Sequence, residues 1–259
     1  MLHVGLPIIK DLVPSIGSIT QVKSLLVFLW PNSSPIISCV GNDEDLKEII
    51  YSKNGVISAL KKGAIYVDHT TASATIAKQI SLDLDKKGCF FIDAPVSGGE
   101  IGAQKGILSI MCGGKNQTYE KVLPIISKYG SKISLIGDAG SGQLAKMVNQ
   151  ICIAGLVQGL SEGINFGINS KIDMVKVLDV IQNGAAGSWQ MSNRGETMLN
   201  NKFDFGFAVN WMRKDLSLCL EEAKKNKSRL PVTSLIDQFY AHVQNIGGGN
   251  LDTSSLIKL

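Results

Sequence analysis

The sequence predicts an α/β unit built on a mostly parallel sheet, followed by an all-α unit. Three observations carry this. From residue 35 to residue 136 short apolar runs alternate with amphipathic stretches, the order of strands and crossover helices. After Gly137-Asp138 the strand signal stops and long helical patterns follow to the end. The 259 residues, 44% of them hydrophobic, are enough for two ordinary cores. The boundary is therefore set at 138, giving domains of residues 1–138 and 139–259.

Strands are expected over residues 36–40, 64–68, 89–93, 107–112 and 132–136, each a short run of apolar residues. Between them, residues 43–51, 73–86 and 117–129 repeat apolar side chains at three- and four-residue spacing, with Ser and Thr available to cap the second. Helices are expected over 142–168, 173–182, 189–199, 208–227 and 233–246, with Pro231 and Gly247-Gly248-Gly249 as punctuation. Residues 1–34 hold three prolines, several serines and one apolar run without strand-turn-helix order, and are left unassigned.

Composition removes several classes of function. Net charge is only +4 and the basic residues are scattered, apart from short runs such as Lys224-Lys225-Asn226-Lys227, so no nucleic-acid footprint is expected. The apolar run at 25–30 is too short to span a bilayer, and neither a secretory nor a transit signature opens the chain. Cys39, Cys89, Cys112, Cys152 and Cys219 are far apart, lack a C-x-x-C pair, and read as reduced core residues of a cytoplasmic protein. His3, His69 and His242 have no partner at metal-ligand spacing, so no metal is expected.

Four stretches carry chemistry. Asp93-Ala94-Pro95-Val96-Ser97-Gly98-Gly99 follows a strand directly; its glycines let main-chain N–H groups approach an anion and Ser97 adds a hydroxyl. A plain glycine-rich turn would look the same. Gly142-Gln143-Leu144-Ala145-Lys146-Met147-Val148-Asn149 opens the long helix, and Lys146 and Asn149 share a face with Ile153 and Val157. A lysine heading such a stripe is partly desolvated and loses basicity, although a snorkelling lysine would also satisfy the spacing. Trp211-Met212-Arg213-Lys214-Asp215-Leu216 alone reads as a charged helix face. Asp68-His69-Thr70-Thr71-Ala72-Ser73 lies at the C-terminal end of a strand, where open α/β sheets bind ligands.

In this order and at about this spacing, the D-A-P-V-S-G-G loop, the G-x-x-x-K-x-x-N helix and the K-D-L run resemble the signature set of the β-hydroxyacid dehydrogenase family. Gly184-Ala185-Ala186-Gly187-Ser188-Trp189-Gln190-Met191 and Phe203-Asp204-Phe205-Gly206-Phe207 point to its 3-hydroxyisobutyrate dehydrogenase branch. The resemblance implies a Rossmann-like nucleotide domain and hydride transfer between NAD or NADP and a small 3-hydroxy acid or its semialdehyde. It implies Lys146 as the catalytic lysine, with Ser97, Gly98, Gly99 and Asn149 holding substrate. Thr71, Lys214, Val40, Gly41 and Asn42 fall on the cofactor side. A homo-oligomer assembled through the helical domain is implied as well.

The sequence departs from the family at its front. The family opens with a strand and a G-x-G-x-x-G turn that holds the pyrophosphate. Gly5, Gly17 and Gly41 do not form such a turn, and residues 1–34 show no match. The Rossmann-like sheet is expected to be incomplete at its N-terminal side, its first three strands absent or replaced. Two alternatives stay open: a truncated or degenerate member that folds and binds a small acid or partner without turnover, and a 6-phosphogluconate dehydrogenase or imine reductase relative.

Overall fold

The computed structural model describes residues 19–22, 25–28 and 35–259. They divide into two compact units, Met1–Lys146 and Met147–Leu259. The expectation for residues 1–18, 23–24 and 29–34 lies outside the described residues.

The first unit is built on one eight-stranded sheet. Its centre is parallel: β3 (Ile36–Ser38) beside β4 (Ile65–Asp68) beside β5 (Phe90–Asp93). β1 (Ile19–Val22) and β2 (Leu25–Phe28) form an antiparallel pair, and β2 runs antiparallel to β3. On the other side β5 joins antiparallel to β7 (Leu108–Gly114), which carries the two-residue β6 (Val96–Ser97) and the parallel β8 (Gly130–Gly137). This is the Rossmann-like α/β fold expected, and beyond β3 the sheet continues with the antiparallel pair β1 and β2.

Side-chain alternation explains why the central strands are buried on both faces. Tyr66 and Phe91 point to one side, where they stack at 5.9 Å and meet Leu46 and Ile50 of α1 (Asp43–Tyr51) and Ile76, Ile80 and Leu84 of α3 (Ala74–Lys86). Val67 and Ile92 point to the other, against Tyr119, Val122 and Ile126 of α5 (Asn116–Ile126). Short helices α2 (Val56–Ala59) and α4 (Gly99–Gln104) fill the connections. The sequence gives no sign of β6, α2 or α4, because two to six residues hold too little periodicity to register.

α6 (Ser141–Asn169) begins in the first unit and runs through the second. With it in the second unit stand α7 (Met174–Ile181), α8 (Trp189–Leu199), α9 (Val209–Asn226), α10 (Pro231–Asn245) and a closing 3-10 turn, Thr253–Lys258. By length and composition α6 is apolar enough to cross a bilayer. Its Ala154, Val157, Leu160 and Ile164 pack against Val209, Met212, Ile236, Tyr240, Met174 and Met191, whereas Leu156, Phe166 and Ile168 of the same helix are exposed. Asp252 ties the end of the chain down, accepting from Arg194, Phe207 N–H and Ser254. Cys89, Cys112 and Cys219 are buried as expected, but Cys39 and Cys152 are exposed and are not core residues; none of the five forms a disulfide.

Candidate active site

Two aspartates end the parallel strands β4 and β5 and face each other in register. Asp68 is fully buried. One of its oxygens accepts from Ser38 Oγ at 2.6 Å and from Thr70 Oγ1 at 2.7 Å, while the other has no hydrogen-bond partner. Burial pushes its carboxyl up to about 7, and the two hydroxyl donors pull the other way. Thr70 Oγ1 in turn accepts from the Val40 N–H at 2.9 Å. The buried carboxylate thus fixes the threonine, and the threonine fixes the Val40-Gly41-Asn42 turn.

That turn leads into α1, where Asn42 caps the helix by accepting from Asp45 N–H at 2.9 Å. Asp43 accepts from the Ser73 N–H and hydroxyl at 2.7 and 2.6 Å, and Ser73 caps α3. Two helix starts are thereby tied together at the C-terminal edge of the sheet. His69 is a structural residue here: its ring nitrogens lie 2.6 Å from Ala94 O and 2.8 Å from the Tyr129 hydroxyl, and burial lowers its pKa. Among the described residues no group of His, Cys, Asp or Glu could hold a metal ion.

Asp93 holds the start of α6. Its carboxylate accepts from Gly140 N–H at 2.7 Å and Gln143 N–H at 3.0 Å. Burial pushes it up to about 6, against the pull of these main-chain donors. The Gln143 amide completes the clamp, donating to Thr70 O at 2.8 Å and accepting from Ala72 N–H at 3.0 Å, so that it brackets Thr71. A methyl group on Gly113 would lie 2.6 Å from the Asp93 carboxylate, and one on Gly142 2.7 Å from the Asp93 carbonyl oxygen, so both glycines are demanded by close approach. Lys146 follows Gln143 by one turn and is 7% exposed.

Ser97 stands in β6, held by pairing with Ser109 of β7. Gly98 and Gly99 follow with φ of +129° and +61°, values that side-chain-bearing residues rarely adopt. In the second unit Asn149 and Lys214 are joined through two buried residues. Asn149 Nδ2 donates to Gln150 Oε1 at 2.8 Å, Gln150 Nε2 donates to one Asp215 oxygen at 2.6 Å, and Lys214 Nζ lies 2.7 Å from the other. Asp215 therefore faces inward and its charge is matched by its neighbour. Sequence reasoning missed Gln143 and Gln150, since a glutamine gives no signal until its partners are known. The Asp93 role was legible in part, because an aspartate ends that strand immediately before the glycine loop.

The described residues suit the nicotinamide end of a dinucleotide. Around Val40, Gly41, Asn42 and Thr71 the groups are main-chain, amide and hydroxyl dipoles, which can hydrogen-bond a carboxamide. Asp43, Glu44 and Asp45 fill the first turn of α1, so that helix start repels phosphate.

Residues 17–137 match the family model of the NAD binding domain of 6-phosphogluconate dehydrogenase, and residues 140–259 match that described as NAD-binding of NADP-dependent 3-hydroxyisobutyrate dehydrogenase. The first match starts at residue 17, which corrects the expectation that residues 1–34 as a whole lie outside the family. The chain is 50% identical over 222 residues to an uncharacterised oxidoreductase of Shewanella frigidimarina, covering 86% of this chain and 76% of that one. It is 34% identical to the 2-hydroxy-3-oxopropionate reductase of Escherichia coli, over 87% of this chain and 77% of that one. A crystal structure of 3-hydroxyisobutyrate dehydrogenase from Salmonella typhimurium superimposes with a TM-score of 0.78 at 26% identity, covering 86% of this chain and 78% of that one. The chain belongs to the β-hydroxyacid dehydrogenase family.

Proposed function

We propose that the chain catalyses reversible oxidation of a small 3-hydroxy acid to its semialdehyde, with NAD or NADP as hydride carrier. The observation that carries this is the seating of Lys146: a buried lysine one turn beyond a helix start that Asp93 and Gln143 fix to the C-terminal edge of a parallel sheet. The bound nicotinamide supplies the hydride acceptor for the carbinol carbon. Lys146, neutral before oxidation, takes the hydroxyl proton and returns it in the reverse direction.

Ser97 donates its hydroxyl to the substrate carboxylate, and the left-handed Gly98 and Gly99 turn their N–H groups to it. Asn149 holds the substrate hydroxyl. Thr71, Lys214 and the Val40-Gly41-Asn42 turn serve the cofactor. Residues 1–138 act as the nucleotide-binding domain and residues 139–259 as the helical domain, in a cytoplasmic enzyme. Exposed Phe166, Val175, Val180 and Trp189 on the helical unit support a homo-oligomer assembled through it.

Thermal unfolding with NAD and with NADP tests the cofactor half. A ligand that binds the native state at a hundred times its Kd adds about 2.7 kcal/mol of stability. One of the two is expected to raise the melting temperature. If neither does at millimolar concentration, the chain is a non-catalytic member whose helical and loop motifs persist without a cofactor site.

A further inference from the structure

We infer that Gln150 is a positioning residue for the reaction, orienting the Asn149 amide through the charge of Asp215. This rests on the reading of Asn149 and Lys214 as site residues. The argument starts at Asp215, which is 2% exposed and sits on α9 opposite α6. An ionised carboxylate only accepts hydrogen bonds. Its two oxygens face Lys214 Nζ at 2.7 Å and Gln150 Nε2 at 2.6 Å. Gln150, itself buried at 1% exposure, must therefore turn its NH2 end toward Asp215.

Its carbonyl end is then committed to the opposite side, where it accepts from Asn149 Nδ2 at 2.8 Å. The direction of donation runs from Asn149 through Gln150 to Asp215, without a choice of polarity at any link. The Asn149 amide thereby presents its nitrogen to Gln150, and the orientation of its oxygen, the acceptor of the group, is set by the same bond. An acceptor is what a residue holding a substrate hydroxyl needs while the hydroxyl still carries its proton. The same carboxylate pairs with Lys214, so one buried charge sets the geometry of two site residues.

Two substitutions separate this from mere packing. Gln150→Met keeps the volume and removes both hydrogen bonds. Gln150→Glu keeps both while its carboxyl is protonated, since the OH replaces the NH2 toward Asp215 and the C=O still accepts from Asn149. Deprotonation sets two carboxylates against each other and breaks the chain. With 3-hydroxyisobutyrate as probe, Gln150→Met is expected to raise the KM for the acid at least about tenfold at every pH, with the cofactor KM within about twofold. Gln150→Glu is expected to match wild type at low pH and to lose activity as pH rises. Unchanged substrate KM in Gln150→Met, or a Gln150→Glu profile parallel to wild type, overturns the inference.

Side-chain amide NMR of the full chain provides a readout independent of turnover. The Asn149 Nδ2 signals are expected to shift in Gln150→Met and to shift with pH in Gln150→Glu but not in wild type. If wild type turns over no 3-hydroxy acid, the substrate assignment fails, and these signals alone decide the linkage: Asn149 signals unmoved by Gln150→Met overturn it.

Discussion

Asp68 and Asp93 stand in register on neighbouring strands, yet their partners differ. Asp93 accepts from the Gly140 and Gln143 main-chain N–H groups, whereas on Asp68 one oxygen accepts from the Ser38 and Thr70 hydroxyls and the other has no hydrogen-bond partner. Burial raises both carboxyls from 3.8, to about 7 at Asp68 and to about 6 at Asp93, against the pull of their hydrogen-bond donors. A carboxyl raised in the folded state binds its proton more tightly there than when unfolded. It therefore favours folding below its ordinary value, and this contribution is lost as pH rises through the folded value. For Asp68 the window runs from 3.8 to about 7. Across it the wild type is expected to lose stability relative to Asp68→Asn, by at most about 4 kcal/mol. Urea unfolding of both proteins at a series of pH values measures the difference; a constant gap would show that Asp68 does not titrate in this range. None of this was visible in sequence, where Asp68 is one more acidic residue at a strand end.

The start of α6 is the element that carries Lys146, and the glycines of this helix divide into two kinds. Gly142 is pressed against β5 and β7, where an added methyl group would collide with backbone. Gly159, on the same helix, has open space around its absent side chain. Gly142→Ala is expected to lift the first turn off the sheet, costing about 2–4 kcal/mol and lowering kcat through Lys146. Gly159→Ala is expected to stabilise by up to about 1 kcal/mol, from helix propensity alone. Denaturation midpoints of the two variants, with their kcat values, check the contrast. The long helices were legible within one or two residues because apolar periodicity continues through them: the patterns at 142–168 and 189–199 became Ser141–Asn169 and Trp189–Leu199. The clamp made by Asp93, Gln143 and the two glycines was not legible, since it joins residues up to 73 positions apart.

At the scale of the molecule, the sequence places Ser97, Gly98, Gly99, Lys146 and Asn149 by motif, and the fold explains what holds several of them. Ser97 is held in β6 by pairing with Ser109, the left-handed pair follows it, and Lys146 sits one turn beyond a fixed helix start. The front of the chain behaves differently. Where a complete nucleotide domain continues with parallel strands, this sheet continues with the antiparallel β1 and β2. The family match nevertheless begins at residue 17, so the pair lies within the matched region. Whether this front end supports catalysis is what the activity of the chain reports. The most direct test is reduction of NAD and of NADP by wild type and by Lys146→Ala in the presence of 3-hydroxyisobutyrate, followed by cofactor absorbance. The account predicts turnover with at least one cofactor in wild type and a loss of about 10²- to 10⁴-fold in Lys146→Ala with cofactor affinity retained. Equal turnover in the two proteins, or none in wild type with either cofactor, would contradict it.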